Sequence, residues 1–271
     1  GTVSAAAVLR NGRIVDTVEK SYVTARREMG FIISGSGYKV VKVCGRNIAV
    51  MVGDDLSHLH ELDKEADFVV SINSRRYGKG LLTYRYETMR RLTYTECRNI
   101  IMINQVGGSS DLVYDGTSGV MNKEGKVELM MKSFEEDFSI FDSSVPHTEV
   151  VVPYTTYNDR TRMIYKAACL GLRDFFHKSG YTKACVGLSG GIDSSVVACL
   201  AVGALGAENV RGLMMPSQFS SNESVEDAKR LAENLGIEYS VLPINEVYTA
   251  IMDTLKPVTG GTEFDATEEN I

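Results

Sequence analysis

The sequence predicts an α/β protein of two domains, the second a doubly wound parallel unit, and three observations carry that expectation. From residue 184 onward, short apolar runs alternate with amphipathic segments at the spacing of strands and helices. One strand-to-helix passage, Gly187-Leu-Ser-Gly-Gly-Ile-Asp-Ser-Ser195, is rich in glycine and small hydroxyl residues. Midway along the chain, a polar stretch holding Pro146 and Pro153 breaks the periodicity and reads as a linker. The 271 residues suit two domains of ordinary size, with expected limits 1–142 and 161–271 around a linker at 143–160.

The first domain reads as strands with intervening helices. Residues 5–10 and 13–18 flank Asn11-Gly12, a strong hairpin signal. Residues 38–44 and 47–52 suggest a second hairpin around Gly45-Arg46. Apolar, β-branched runs at 68–72 and 100–106 bracket a helix over 81–96 that is rich in Arg, Tyr and Leu. The stretch 111–118 leads into a further strand, then a turn at 122–125 and a strand at 126–131. Beyond the linker, Ile164, Ala167, Ala168, Leu172 and Phe176 fall at helical spacing within 163–178. The order continues as strand 184–188, helix 194–205, strand 210–215, helix 222–235, strand 238–243 and helix 245–255. Ligands of such doubly wound units sit at the carboxyl ends of the strands.

Composition bounds the function. Hydrophobic residues at 44% and charged residues at 24% are those of a soluble globular protein. No apolar run reaches the length of a membrane span, and the start of the sequence lacks a secretory pattern. A net charge of −6 argues against a general affinity for nucleic acid. Cysteines 44, 97, 169, 185 and 199 show no metal-ligand spacing, so they are expected as reduced, buried thiols of a cytoplasmic protein. His58 and His60 fit a polar loop or helix surface better than a metal site.

The passage 187–195 carries the chemistry. Gly187, Leu188 and Ser189 leave the strand; Gly190 and Gly191 remove the side chains that would keep an anion from the backbone. Ile192 opens a helix whose free N–H groups and positive dipole end suit a phosphate. Ser189, Ser194 and Ser195 add hydroxyl donors, and Asp193 supplies a carboxylate for a phosphate-bound Mg²⁺. The pattern lacks the Gly-Lys-Ser/Thr ending of a Walker loop and the glycine spacing of a dinucleotide fingerprint. It points to ATP; the plain alternative is a glycine-rich turn with Asp and Ser as helix caps.

Together the two halves resemble the glutamine-dependent NAD⁺ synthetases. In the second half the similarity runs through Leu170-Gly-Leu-Arg-Asp174, the loop 187–195, Met214-Met-Pro-Ser217, Glu226-Asp-Ala228, Leu231-Ala-Glu-Asn-Leu-Gly236 and Thr267-Glu-Glu-Asn-Ile271. In the first half it lies in Ala6-Ala-Val-Leu-Arg-Asn-Gly12, Ile103-Asn-Gln-Val-Gly-Gly108, Asp111-Leu-Val-Tyr-Asp-Gly116 and Phe134-Glu-Glu-Asp137. The resemblance implies a nitrilase-like α/β sandwich, of glutaminase type, followed by a pyrophosphate-loop synthetase domain. It implies ATP and Mg²⁺ as cofactors, deamido-NAD⁺ and ammonia or glutamine as partners, and a homo-oligomer. The implied reaction adenylates the nicotinate carboxylate, after which ammonia displaces AMP. Residues 187–195 would bind ATP, with Asp193 holding the metal.

The sequence departs from this family in its first half. Such glutaminases use a Glu–Lys–Cys triad. Lys20 stands where the lysine is expected, although a surface lysine after a strand explains it almost as well. At the nucleophile's position, in Val50-Met-Val-Gly-Asp-Asp-Leu56, the residue is Gly53; Cys44 lies one strand earlier and is a poor substitute. The triad glutamate would precede residue 1. Asn73-Ser-Arg-Arg-Tyr-Gly-Lys79 replaces the family's glutamine-binding run, leaving Ser74 and Lys79 as candidate contacts. The loop after Lys20 is also shorter than the family's. The expectation is a domain that folds like a glutaminase without hydrolysing glutamine, in a chain truncated at both ends. Two other readings remain: a catalytically silent scaffold attached to a nucleotide-binding module, and another amidotransferase sharing the pyrophosphate loop.

Overall fold

The structure is a computed structural model that describes residues 1–23, 30–59, 62–151 and 157–259. His60, Pro153 and the matched stretch 267–271 lie outside the described residues. Two compact units emerge, Gly1–Gly171 and Leu172–Ile271, each with its own core.

The first unit opens with a hairpin of β1 (Ala5–Arg10) and β2 (Arg13–Glu19), antiparallel across Asn11-Gly12. Both turn residues have positive φ, which matches the right-handed twist of the flanking strands. A second hairpin pairs β3 (Lys39–Val43) with β4 (Arg46–Val52), and its turn falls at Cys44-Gly45, one residue earlier than expected. β4, β5 (Phe68–Asn73) and β6 (Asn99–Asn104) then run parallel in register, with helix α1 (Leu81–Glu96) crossing between β5 and β6. The run expected as one strand at 100–106 is two: it breaks at Gln105 and restarts as β7 (Val106–Ser109), which pairs with β8 (Leu112–Asp115). β9 (Gly119–Met121) and β10 (Val127–Met130) complete a six-stranded sheet of order β10-β9-β6-β5-β4-β3.

Alternation along β4 assigns its two faces. Ala49 and Met51 join Val69, Ile100 and Met102 under α1, whose Leu82, Tyr86, Met89 and Leu92 recur at helical spacing. Ile48, Val50 and Val52 face the other way and pack with Val18, Ala6 and Val8 of the first hairpin. That hairpin makes the unit a sandwich. Further along this second face, Ile72 and Ile103 remain exposed.

The second unit is built on β11 (Ala184–Gly187), β12 (Val210–Met214) and β13 (Glu238–Val241), all parallel and adjacent in chain order. Helix α2 (Tyr157–Ser179) precedes them, α3 (Ile192–Leu205) and α4 (Asn222–Leu235) form the crossovers, and α5 (Asn245–Thr259) follows. Right-handed crossovers between neighbouring strands put α3 and α4 on one face. There Ala198, Ala201, Ala228 and Ala232 let the helices approach each other and the sheet closely. The fold class in both units is α/β, as the sequence led us to expect.

Some expectations fail for identifiable reasons. Among the described side chains of α2 the buried ones are Met163, Ala167 and Leu170, whereas Ile164 is exposed; the compact units divide inside this helix because its first half packs with the core of the first unit. None of the five cysteines is buried: Cys44, Cys97 and Cys185 are exposed and the other two half-buried. Cys44 and Cys97 occupy turn and helix-end positions with positive φ, which lie at the surface. Among the described residues no helix is long and apolar enough to cross a membrane.

Candidate functional site

Two places at the carboxyl ends of parallel strands bring the sequence's candidate residues together. The first lies in the second unit. β11 ends at Gly187, yet Leu188 still donates its N–H to Leu213 O at 2.8 Å and is buried, so the strand's direction is kept for one residue more. The chain then turns at Gly190, with φ of +79°, and enters α3 through Gly191. A side chain at 190 is impossible without rearrangement: a Cβ there would stand 2.2 Å from the backbone oxygen of Ser224. Glycine at this point therefore answers both to its backbone angle and to the close approach of α4.

Hydroxyl groups knit the loop. Ser194 Oγ donates to Gly191 O at 3.0 Å and accepts from Ser189 N–H at 3.3 Å. Ser189 Oγ lies 3.1 Å from Ser194 Oγ and accepts from Gly191 N–H at 3.3 Å. Ser195 Oγ donates to Gly191 O at 2.8 Å. Gly191 provides no side-chain cap, so the helix start is open to an external acceptor. Asp193 is exposed in the first turn, beside the exposed Ile192. The cap alternative is not what the turn shows: no side chain caps α3, and Ser194 and Ser195 donate back to Gly191 O instead. Those bonds shape the loop without covering it.

The second place lies in the first unit, where β4, β5 and β6 end side by side. β4 gives way at Gly53 to a 3-10 turn, Gly53–His58, with Gly53 at φ of +63°. Lys20 follows β2 and is only 5% exposed, which removes the surface-lysine reading. It presses on Gly53: a Cβ at 53 would meet Lys20 Cε at 3.0 Å and Nζ at 3.2 Å. Residue 53, expected at the nucleophile's position, therefore faces the buried lysine more closely than ordinary van der Waals contact would allow a side chain. Cys44 cannot serve, because it precedes β4 and Gly53 follows it, and seven residues of strand span roughly 23 Å.

Residues that sequence reasoning passed over close this elbow. Asp55 accepts the N–H groups of Ser21 at 2.9 Å and Tyr22 at 2.7 Å, and the Tyr22 ring stacks on His58 at 3.9 Å. Arg75 pairs with Asp54 at 3.1 Å and donates to Ser57 Oγ at 2.9 Å. Ser74 and Lys79, the candidate glutamine contacts, are exposed, and it is their neighbour Arg75 that reaches the turn. Asn104 supports Arg75 from behind, accepting its N–H at 2.8 Å, and its Nδ2 lies 3.2 Å from Asp115 Oδ1. Asp115 in turn pairs with Arg85, both buried. Burial pushes the Asp115 carboxyl above its ordinary range, against the opposing pull of the Arg85 guanidinium. An Arg or Asp within an apolar strand or helix pattern was the available signal for this network.

Residues 164–271 match the family model described as NAD synthase. Across nearly the whole chain, a glutamine-dependent NAD(+) synthetase of Aquifex aeolicus is 32% identical, over 99% of this chain and 54% of that protein. The corresponding protein of Acinetobacter baylyi is 30% identical over 99% of this chain and 51% of its own length. The chain is a homologue of the glutamine-dependent NAD(+) synthetases. The solved structure of such a synthetase from Acinetobacter baumannii, in complex with adenosine diphosphate, superposes with a TM-score of 0.86 at 33% identity, over 99% of this chain and 52% of that one. The family inferred from the motifs is therefore the one that both units match. The chain spans about half the length of the curated relatives it matches.

Proposed function

We propose that this chain performs the ATP-dependent amidation of deamido-NAD⁺ to NAD⁺, with ammonia as the nitrogen source, within a protein of the NAD⁺ synthetase type. The observation that carries the first part is the loop 187–195, an open helix start behind two glycines at the end of a parallel strand. A carboxylate is a poor electrophile until one of its oxygens becomes a leaving group. Attack of the nicotinate carboxylate on the α-phosphorus of ATP forms the acyl–adenylate bond and breaks the bond to pyrophosphate. The N–H groups at the start of α3 and the loop hydroxyls then hold the departing pyrophosphate and stabilise its growing charge. Ammonia adds to the activated carbonyl, and AMP leaves with the carboxylate oxygen.

The donor set fits Mg²⁺ brought in with the nucleotide. Among the described residues no group of three or more His, Cys, Asp or Glu could hold a metal alone, whereas Asp193 offers one exposed carboxylate beside the phosphate loop. Asp193 would complete a shell made mostly of phosphate oxygens and water, and the ion would neutralise phosphate charge during the displacement.

The glutaminase-like unit, on this reading, hydrolyses no glutamine. Glycine has no side chain with which to form a thioester, and Lys20 fills the space in front of residue 53. NAD⁺ formation from deamido-NAD⁺, Mg²⁺ and ATP, with ammonia and glutamine as parallel nitrogen sources, tests the proposal. Turnover with ammonia alone supports it. Turnover with glutamine overturns the nitrogen assignment, and failure with both overturns the assignment of this activity to the chain.

A further inference from the structure

The close contact between Gly190 and Ser224 has a consequence for the phosphate loop, and it rests on reading 187–195 as that loop. Three backbone atoms of Ser224 lie within 2.8 Å of the place where a Gly190 Cβ would stand. The tightest turn of the loop is therefore seated on the first turn of α4, backbone against backbone. Nothing in the loop's own sequence specifies where that turn lies. Its position is set by residues that touch no part of the loop's hydroxyl network.

Ser221 sets it. It is the N-cap of α4, with extended φ and ψ of −74° and 149°, and its Oγ accepts the Ser224 N–H at 3.1 Å. The two serine hydroxyls lie 2.8 Å apart, and Ser221 O accepts the Val225 N–H at 3.3 Å. The approach to the cap is itself fixed: Ser220 Oγ accepts the Ser217 N–H at 3.0 Å, Ser220 N–H returns to Ser217 O at 3.0 Å, and Phe219 packs edge-on against Tyr248 of α5 at 5.6 Å. A cap of this kind holds the first turn of its helix against fraying. Here that turn is the floor on which Gly190 sits.

The geometry points to Ser221 as a positioning residue for the phosphate loop: its hydroxyl fixes Ser224, and Ser224 holds Gly190 and with it the entry into the uncapped start of α3. The side chain acts through the backbone of α4 and need not meet the nucleotide. Loss of the cap hydroxyl should weaken pyrophosphate and ATP binding even in molecules that are fully folded. Residues that cap equally well should restore it.

Calorimetric titration of Mg–ATP and of Mg–pyrophosphate tests this, using the chain itself and Ser221→Ala, Ser221→Thr and Ser221→Asn. Each protein is titrated at a temperature where circular dichroism shows it fully folded. The expected result is an affinity about fivefold lower in Ser221→Ala for both ligands, the size of one lost cap, with recovery in the Thr and Asn variants. A Ser221→Ala protein that melts earlier yet binds both ligands like the unsubstituted chain would overturn the inference alone, leaving a helix cap with no hold on the loop. Failure of Thr and Asn to restore binding overturns it too. An unsubstituted chain that binds neither ligand overturns the phosphate-loop reading, and the positioning role with it.

Discussion

The two strand ends share one backbone device in different surroundings. In each unit a glycine with left-handed φ lies between a parallel strand and the helical turn that follows: Gly53 at +63° opens the turn directly after β4, and Gly190 at +79° lies between the end of β11 and α3. Around Gly190 the neighbours are backbone and small hydroxyls, and the helix start remains open, with Ile192 and Asp193 exposed. Around Gly53 they are long charged side chains, Lys20 from one side and Arg75 on the turn itself, with Asp55 clamping the chain at 21–22. At 190 the missing side chain makes room for the backbone of α4. At 53, on the proposed function, the missing side chain is that of the nucleophile. The same residue type therefore serves close packing of backbones in one unit and faces a buried lysine in the other.

Substitutions can break that contrast, and the largest effect is expected away from both glycines. Asp115→Ala leaves Arg85 buried without its carboxylate, which should cost the first unit about 3–5 kcal/mol; a loss below about 1 kcal/mol in urea unfolding would place the pair outside the support of the elbow. Gly190→Ala comes next. It combines a disfavoured φ with a clash against Ser224, so Mg–ATP affinity should fall about tenfold or more, and unaltered affinity in calorimetry would remove ATP from this loop. Asp193→Ala should weaken Mg–ATP binding and make the remaining binding less sensitive to removal of Mg²⁺. Equal Mg²⁺ sensitivity before and after the substitution would take the metal away from Asp193.

On the other side of the comparison the effects are smaller. Gly53→Ala meets both the φ of +63° and the Lys20 stem, with an expected cost to stability of about 1–2 kcal/mol. Ammonia-dependent turnover in the folded protein should not change; a fall in that rate would tie the elbow to the synthetase reaction. Ser74→Ala is expected to do least, within about 0.5 kcal/mol in stability, because the side chain is exposed and Arg75 makes the contact to the turn.

Local chemistry explains what could be read from the sequence. The Asn11-Gly12 turn, helix α1 and helix α4 are fixed by residues within the elements themselves, and their expected limits coincide with the structure to within a residue. The loop 187–195 was legible for the same reason, since its glycines and serines act on their own backbone. Long-range partners were not. Nothing near Gly190 in the sequence announces Ser224, and nothing in the turn after Gly53 announces Arg75 or the Ser21 and Tyr22 N–H groups that Asp55 accepts, because those contacts depend on where separate elements meet. The break at Gln105 and the shifted stripe of α2 fail in the same way: apolar periodicity identified the elements but not which face each neighbour would cover. The exposed cysteines show that a thiol in an apolar-looking run can still fall in a turn.

The contrast between the two elbows is tested most directly by following pyrophosphate and glutamate together, in one reaction holding Mg²⁺, ATP, deamido-NAD⁺, ammonia and glutamine. The expected result is pyrophosphate release that depends on deamido-NAD⁺, with no glutamate formed. Glutamate release would contradict the account, because a nucleophile would then be at work in a unit whose elbow carries only Gly53.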